Sequence, residues 1–392
     1  MLKALRYRIY PNKEQRELLS KAFGCARYIY NWALDTKIKA YTATGKSPSR
    51  FDLNVAITSL KKDNPWLGDV SDWVLKTAVD DVEAAYTAFF QKRNRFPRFK
   101  SKRSSKQTFR VRGYRVKEGR LCLPKIGKVK CIFSRPLEGE LKTCTVTLAP
   151  SGKYFVSCLV DDGLDPQPDK TDAGAVGIDL GLKDFATLST GEKIATPKLL
   201  RASERKLARL QRGLARKTKG SNRYKACKRK VARIHEKIAN QRTDFLHKLS
   251  TRLVNENQVI CIEDLNVSGM LKNHHLAKSI ADASWSEFVR QLEYKCDWYG
   301  SELVRIGRFE PSSKLCSCGS LNSSLTLDQR IWTCPKCGAT HDRDILAAQN
   351  IVRFAVATTV KGRGENVRLL AGLSNMGISP FSSLVEASIP LL

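Results

Sequence analysis

No run of this sequence approaches the roughly 20 consecutive apolar residues that a bilayer-spanning helix needs, and its first residues lack the apolar core of a secretory signal peptide. The expectation is a cytoplasmic protein, nucleoid-associated in a bacterium or archaeon, with no membrane partner. Acidic residues are also short: 38 Asp+Glu stand against 69 Lys+Arg, a formal charge of +31. That imbalance is the electrostatic footprint of a polyanion, with nucleic acid the first reading. Yet the sequence offers no zinc-finger helix, basic zipper or convincing helix-turn-helix with which to read a long DNA site. Cysteine is plentiful, at 12 residues, but without a signal peptide the pairs read as metal ligands rather than disulfides. Cys25, Cys122, Cys131, Cys144, Cys158, Cys227, Cys261 and Cys296 lie scattered in periodic segments and read as reduced, partly buried thiols.

With 392 residues the chain is long enough for two or three domains. Leu5, Tyr7 and Ile9 alternate with Arg6, Arg8 and Tyr10, so the chain opens on a strand with one apolar and one largely basic face. Pro11-Asn12 starts a helix whose apolar positions recur from Leu18 to Ala33, and Leu75, Val79, Val82, Tyr86 and Phe89 mark another, with a weaker helix near Phe51 to Lys61 between them. From Thr108 to Val160, alternating sets such as Val129, Cys131 and Phe133, or Val156, Cys158 and Val160, predict strands. With the first strand these are expected to close a small barrel around the helical insert. Asp162 to Asp172 reads as a polar linker.

Two basic stretches stand out. Arg93, Arg95, Phe96, Arg98, Phe99, Lys100, Lys102 and Arg103 mix cations with two aromatics, which suits phosphate contacts plus base stacking; composition alone leaves a solvated linker equally open. A long helical hairpin follows later, with Leu207, Leu210 and Leu214 on one helix and Val231, Ile234 and Ile238 on its return. Its run from Arg223 to Lys230, including Lys228 and Arg229, contains no acid and reads as a wall of a nucleic-acid channel.

Three acids attract attention. Asp179 sits in Val176-Gly177-Ile178-Asp179-Leu180-Gly181, a buried strand whose glycines leave room for close backbone approach. Taken alone, it could be a hairpin aspartate bonded to nearby amides. Glu263 and Asp264 end the apolar run from Gln258, and open α/β sheets keep their functional groups at such strand ends. Asp344 shares one helical face with Ala348, Ile351 and Ala355, whereas Asp342, Gln349 and Arg353 fall opposite, so Asp344 points at the sheet and Asp342 caps the helix. Three converging acids repel one another unless cations bridge them, as in a two-metal phosphodiesterase, and carboxylate with water suits two Mg²⁺ or Mn²⁺ ions. Farther on, Cys316 and Cys318, then Cys334 and Cys337, form two pairs followed by Gly319 and Gly338, the pattern of a zinc ribbon for one Zn²⁺; a damaged, metal-free loop is the alternative.

In their order, the strings LRYRIYPNKEQ, FGCARYIYNWAL, FPRFKSK, GIDLGLKDFATLS, IEDLNV, the paired cysteines and HDRDILAAQNI resemble the TnpB (OrfB) family encoded by insertion sequences and related to type V CRISPR effectors. The resemblance covers nearly the whole chain. It implies an α+β multidomain protein: a wedge β-barrel over residues 1–10 and 105–165, a helical recognition insert over 11–104, and an RNase H-like (RuvC) nuclease over 173–311 and 341–360. The basic hairpin at 198–256 is inserted in the nuclease, the zinc ribbon occupies 312–340, and 361–392 is expected to be a poorly ordered tail.

It further implies a DNA endonuclease directed by a guide RNA transcribed from the element, acting on double-stranded target DNA, with catalytic acids at Asp179, Glu263 and Asp344. The alternatives are a transposase that joins DNA ends and a catalytically silent RNA-guided regulator. Two departures from the family pattern bear on the site. Cys316-x-Cys318 is one residue shorter than usual, which weakens Zn²⁺ binding or recruits His341. Leu346 stands where many relatives carry Asn, removing a supporting side chain for Asp344.

Overall fold

The computed structural model describes residues 1–102, 106–165, 174–326 and 328–363. Arg103, most of the expected linker and nearly all of the expected tail therefore lie outside the described residues. The chain forms two compact units, one comprising Met1–Asp165 with Leu214–Arg233, the other Pro166–Gly213 with Ile234–Leu392.

The first unit begins with strand β1 (Leu2–Tyr10) and three helices, α1 (Lys13–Thr44), α2 (Arg50–Asp63) and α3 (Asp72–Phe90). Helix α1 starts where Asn12 and Gln15 cap each other reciprocally, the Asn12 side chain accepting from the Gln15 amide at 2.8 Å and the Gln15 side chain from the Asn12 amide at 3.1 Å. It ends at Gly45, whose left-handed φ of 68° lets its N–H reach the Tyr41 carbonyl. Strands β2 (Gln107–Arg112), β3 (Arg115–Lys117), β4 (Arg120–Leu123), β5 (Gly127–Ile132), β6 (Glu140–Leu148) and β7 (Tyr154–Asp161) complete a seven-stranded sheet ordered β2-β6-β7-β1-β5-β4-β3.

The alternation of β1 puts Tyr7 and Ile9 into a core shared with Phe23, Ile29, Leu75 and Val79 of the helices, while Arg6 turns outward and lies 4.1 Å from the Phe155 ring centre. The expected closed barrel is corrected here: among the described residues the sheet has two ends, β2 and β3. Strand β3 has three residues, all exposed, so it offers no buried side chain to drive closure.

The second unit contains β8 (Ala175–Leu180), β9 (Asp184–Leu188), β10 (Lys193–Ala195), α4 (Leu199–Ala215), α5 (Asn222–Glu256, its first part in the other unit), β11 (Val259–Glu263), α6 (Val267–Met270), α7 (Ala277–Ala283), α8 (Trp285–Tyr299), β12 (Glu302–Ile306), β13 (Ile331–Thr333), β14 (Thr340–Asp342) and α9 (Arg343–Arg363). A five-stranded sheet, ordered β10-β9-β8-β11-β12, is parallel from β8 through β12 and antiparallel at the β9 and β10 side. Val176, Ile178, Ile260 and Ile262 face one core with Leu249, Leu253, Phe288 and Leu292 of α5 and α8. Ala175, Val259 and Cys261 face a second core with Ile351, Val352 and Ala355 of α9. Both faces being covered explains why these strands read as continuous apolar runs.

Helix α9 approaches β8 unusually closely at Gly177. A Cβ built there would lie 2.0 Å from the Ala348 carbonyl oxygen and 2.7 Å from a Val352 methyl. Gly177→Ala is therefore expected to destabilise the protein by roughly 1–3 kcal/mol or more through overpacking. Gly24, inside α1 with nothing within 4 Å of its missing Cβ, provides the control. Gly24→Ala should leave stability unchanged or raise it, by up to about 1 kcal/mol. Thermal melts of the two variants check this contrast.

Candidate active site

Strand periodicity decides which side the acids occupy. Ala175, Gly177 and Asp179 point to the α9 face of the sheet, as do Val259, Cys261 and Glu263. Ile178 pairs with Ile262 in parallel register, so Asp179 and Glu263 stand side by side one step beyond. The first turn of α9 carries Asp344. Burial first, then the negative charges of Glu263 and Asp344, raise the Asp179 carboxyl to about 7, with Arg343 and Arg330 pulling the other way. The structure thus brings the three acids into one electrostatic site.

Asp342 has a different task. Its Oδ1 accepts the amides of Asp344 at 3.0 Å and Ile345 at 3.2 Å, so it caps α9 as the helical phase predicted. Lys193 of β10 donates to its Oδ2 at 2.6 Å. Burial would raise this carboxyl, but Lys193 and the two amides outweigh it and hold it below the usual carboxylate range.

Two partners of the acids, and a third residue that braces one of these partners, escaped sequence reasoning. Ser312 donates to Glu263 Oε1 at 2.5 Å. Arg330 Nη1 lies 3.0 and 3.2 Å from the two Asp344 oxygens. Asn350, fully buried on α9, donates at 2.7 Å to both the Ser312 and Leu315 carbonyls, so the segment that holds Glu263 is clamped to the helix that carries Asp344. Only Asn350 had a local signal: an amide in the apolar run of α9, one position before Ile351. Asp264 is held apart by Arg308, at 2.7 Å.

The four cysteines also come together. Every Sγ of Cys316, Cys318, Cys334 and Cys337 lies within 4.8 Å of the others. Cys316 and Cys337 are 3.6 Å apart, and Cys318 and Cys334 3.7 Å. Two thiolates on a tetrahedron of 2.3 Å bonds sit about 3.8 Å apart, so the cluster suits a metal ion. Backbone N–H groups of Cys337 and Lys336 lower the Cys334 thiol and favour its thiolate. His341 Nε2 is 3.0 Å from Cys316 Sγ, within reach as a substitute ligand. Leu346, at the position where Asn was expected, is buried against Cys316, Cys334, Leu325 and Trp332.

The candidate nucleic-acid contacts Arg93, Arg95, Phe96, Arg98, Phe99, Lys100 and Lys102 are exposed, as are Arg223, Lys228, Arg229 and Lys230; both groups lie in the first unit. They are not all equally available. Phe96 packs edge-on against Tyr86 and Phe89. Lys100 lies 3.8 Å from the Tyr30 ring centre and reaches Asp81, while its backbone is held on both sides by the Asn31 side chain.

A mixed sheet with carboxylates at adjoining strand ends defines an α/β protein with an acidic site beside a cysteine cluster. The family model described as "Probable transposase" (OrfB, IS605) matches residues 155–274, and a "Cas12f1-like, TNB domain" model matches residues 285–351. A "Helix-turn-helix domain" model matches residues 1–46, where the structure has β1 and one uninterrupted helix. A Streptomyces pristinaespiralis protein called "Putative RNA-guided DNA endonuclease" is 45% identical over 92% of this chain and 91% of its own. InsQ of Escherichia coli (strain K12), so described as well, is 33% identical over 94% and 95%. The fold is similar to that in the Cas12f1-sgRNA-target DNA complex, with a TM-score of 0.54 at 13% identity, covering 90% of this chain and 98% of that one. The chain belongs to the TnpB (OrfB) family. Among the described residues, no helix is long and apolar enough to cross a membrane.

The raised Asp179 carboxyl carries a sign for stability. The native state holds this proton more tightly than the unfolded chain, so its stabilisation is complete below the ordinary value of 3.8 and is lost as pH rises through about 7. In chelator-treated protein, Asp179→Asn should flatten the fall in melting temperature across that window and raise the melting temperature at pH 8. Parallel wild-type and variant melts test it.

Proposed function

We propose that this chain is an RNA-guided DNA endonuclease of a transposable element, using Asp179, Glu263 and Asp344 in a RuvC-type reaction. The observation that carries the reading is the gathering of three carboxylates at one sheet edge, where burial first and then the charges of Glu263 and Asp344 raise the Asp179 carboxyl to about 7. Evolved sites tolerate such repulsion where a cation relieves it. An all-oxygen donor set fits Mg²⁺ or Mn²⁺. Two such ions, when bound, supply activation of water and stabilisation of the leaving 3′ oxygen. The chain's own groups do the positioning. Ser312 orients Glu263, Arg330 holds both oxygens of Asp344, and the Asp342 cap with its Lys193 partner fixes the first turn of α9.

Recognition rests on charge. A net +31 supports binding of a structured guide RNA and a double-stranded target, with base pairing choosing the sequence and exposed cations holding the backbones. The Streptomyces and Escherichia relatives carry that activity in their names. The matched family model's own description favours a second reading, a transposase that joins DNA ends. For the cysteine cluster, one Zn²⁺ is the fitting ion, with four thiolates or with His341 replacing one of them.

Asp179→Ala, Glu263→Ala and Asp344→Ala should each abolish cutting and leave RNA and DNA binding largely intact, whereas Asp342→Ala should retain part of the activity. The decisive measurement is to sequence RNA that co-purifies with the protein and to assay cleavage of a plasmid matching its variable end. Cutting that persists after complete RNA removal, or product strands covalently joined, would overturn this reading in favour of the transposase. Metal analysis of the purified protein should give about one zinc per chain, released by Cys334→Ser together with Cys337→Ser. Fully active protein devoid of zinc would refute the structural role of that ion.

A further inference from the structure

The loop after β12 carries, next to the acid-bearing strand end, an aromatic side chain that no contact among the described residues explains. Phe309 is 93% exposed, more than any other large apolar side chain among the described residues. The loop that carries it is nevertheless tied down at both ends. It leaves from Ile306, the register partner of Glu263, and returns at Ser312, whose hydroxyl donates to the Glu263 carboxylate at 2.5 Å. Between these points Arg308 donates to the Asp264 carbonyl at 3.2 Å and to its carboxylate at 2.7 Å. Within the loop, Glu310 N–H reaches the Gly307 carbonyl, and Ser312 N–H the Glu310 carbonyl. Phe309 is thus at the apex of a pinned turn, three residues from the strand position beside Glu263 and three from the hydroxyl that touches its carboxylate.

A fully exposed phenyl ring on a braced loop offers a flat apolar face and little freedom to fold it away. The chemistry that uses such a face next to carboxylates awaiting a phosphodiester is an unpaired nucleobase, because every base has an apolar π face and stacking on an aromatic ring tolerates any sequence. A paired duplex would not present that face, whereas a single strand entering the acids would. We infer that Phe309 stacks on one nucleobase of the DNA strand being cut and sets the register of that strand against Glu263. This rests on the nuclease reading given above. Phe309 is accordingly a positioning residue, since the phosphate meets the carboxylates and the base meets the ring.

The test uses the full chain loaded with its co-purified guide RNA and matching DNA carrying a single abasic residue at successive positions around the cut. Phe309→Ala should keep the wild-type melting temperature, guide binding and target unwinding, and should lower kcat/KM for cutting by roughly 5- to 100-fold. Phe309→Trp should restore it. In the wild type one abasic position should cause a similar loss, and at that position Phe309→Ala should add nothing further, because the ring and the base act as one unit. Losses that multiply at every abasic position, or a Phe309→Ala protein that cuts like wild type, would overturn the stacking role and leave the nuclease reading standing. A guide-loaded wild type that leaves matching DNA intact overturns the nuclease reading, and this inference with it.

Discussion

The second unit depends on one missing carbon. Because residue 177 has no Cβ, the backbone of α9 can rest on β8 with the Ala348 carbonyl where a side chain would otherwise stand. A helix held at that distance brings its first turn over the ends of β8 and β11, and Asp344 arrives where Asp179 and Glu263 already stand side by side. The same seating lets Asn350 reach the Ser312 and Leu315 carbonyls, and Ser312 in turn touches Glu263. Packing, helix position and the orientation of two acids are therefore consequences of one close contact. Larger residues at 177 would disturb all of them together, since packed interiors yield in discrete steps rather than smoothly.

That seating is unfavourable in one respect. Burial first, and then the charges of Glu263 and Asp344, raise the proton affinity of Asp179, so ionising it at neutral pH weakens the fold. Cations partly offset the strain: Arg330 and Arg343 pull Asp179 downward, and Arg330 binds Asp344 directly. The two arginines do not cancel the effect, because the Asp179 carboxyl stays raised. Local conflict of this kind, embedded in an otherwise well-packed sheet, is a common mark of functional sites.

Much of this arrangement was legible in the sequence because it follows from period alone. Alternation along 175–179 and 259–263 puts both strand acids on one face, and the 3.6-residue repeat separates Asp344 from the capping Asp342. What period cannot supply is partnership across long separations. Ser312 and Glu263 are 49 residues apart, and nothing near either residue announces the other. Arg330 is one of many cations in a strongly basic chain, and its selection depends on the fold of the cysteine segment. Closure of the first sheet was over-read for a similar reason: alternation identifies strands, but the pairing of edges is decided by side chains that β3 does not possess.

Leu346 shows how a departure at one position is absorbed by its surroundings. Where an amide was expected to support Asp344, a leucine turns into the cysteine segment and packs with Cys316, Cys334, Leu325 and Trp332. Support for the acid comes instead from Arg330, on that same segment, whose backbone carbonyl also accepts the Arg343 amide at 2.8 Å at the start of α9. The leucine thus fastens the cysteine segment to the helix, and the fastened segment delivers the arginine. A hydrogen bond made directly by one residue is replaced by an apolar contact that acts at one remove. Order in the cysteine segment and the position of Asp344 become a single thermodynamic unit, because loosening either removes contacts from the other.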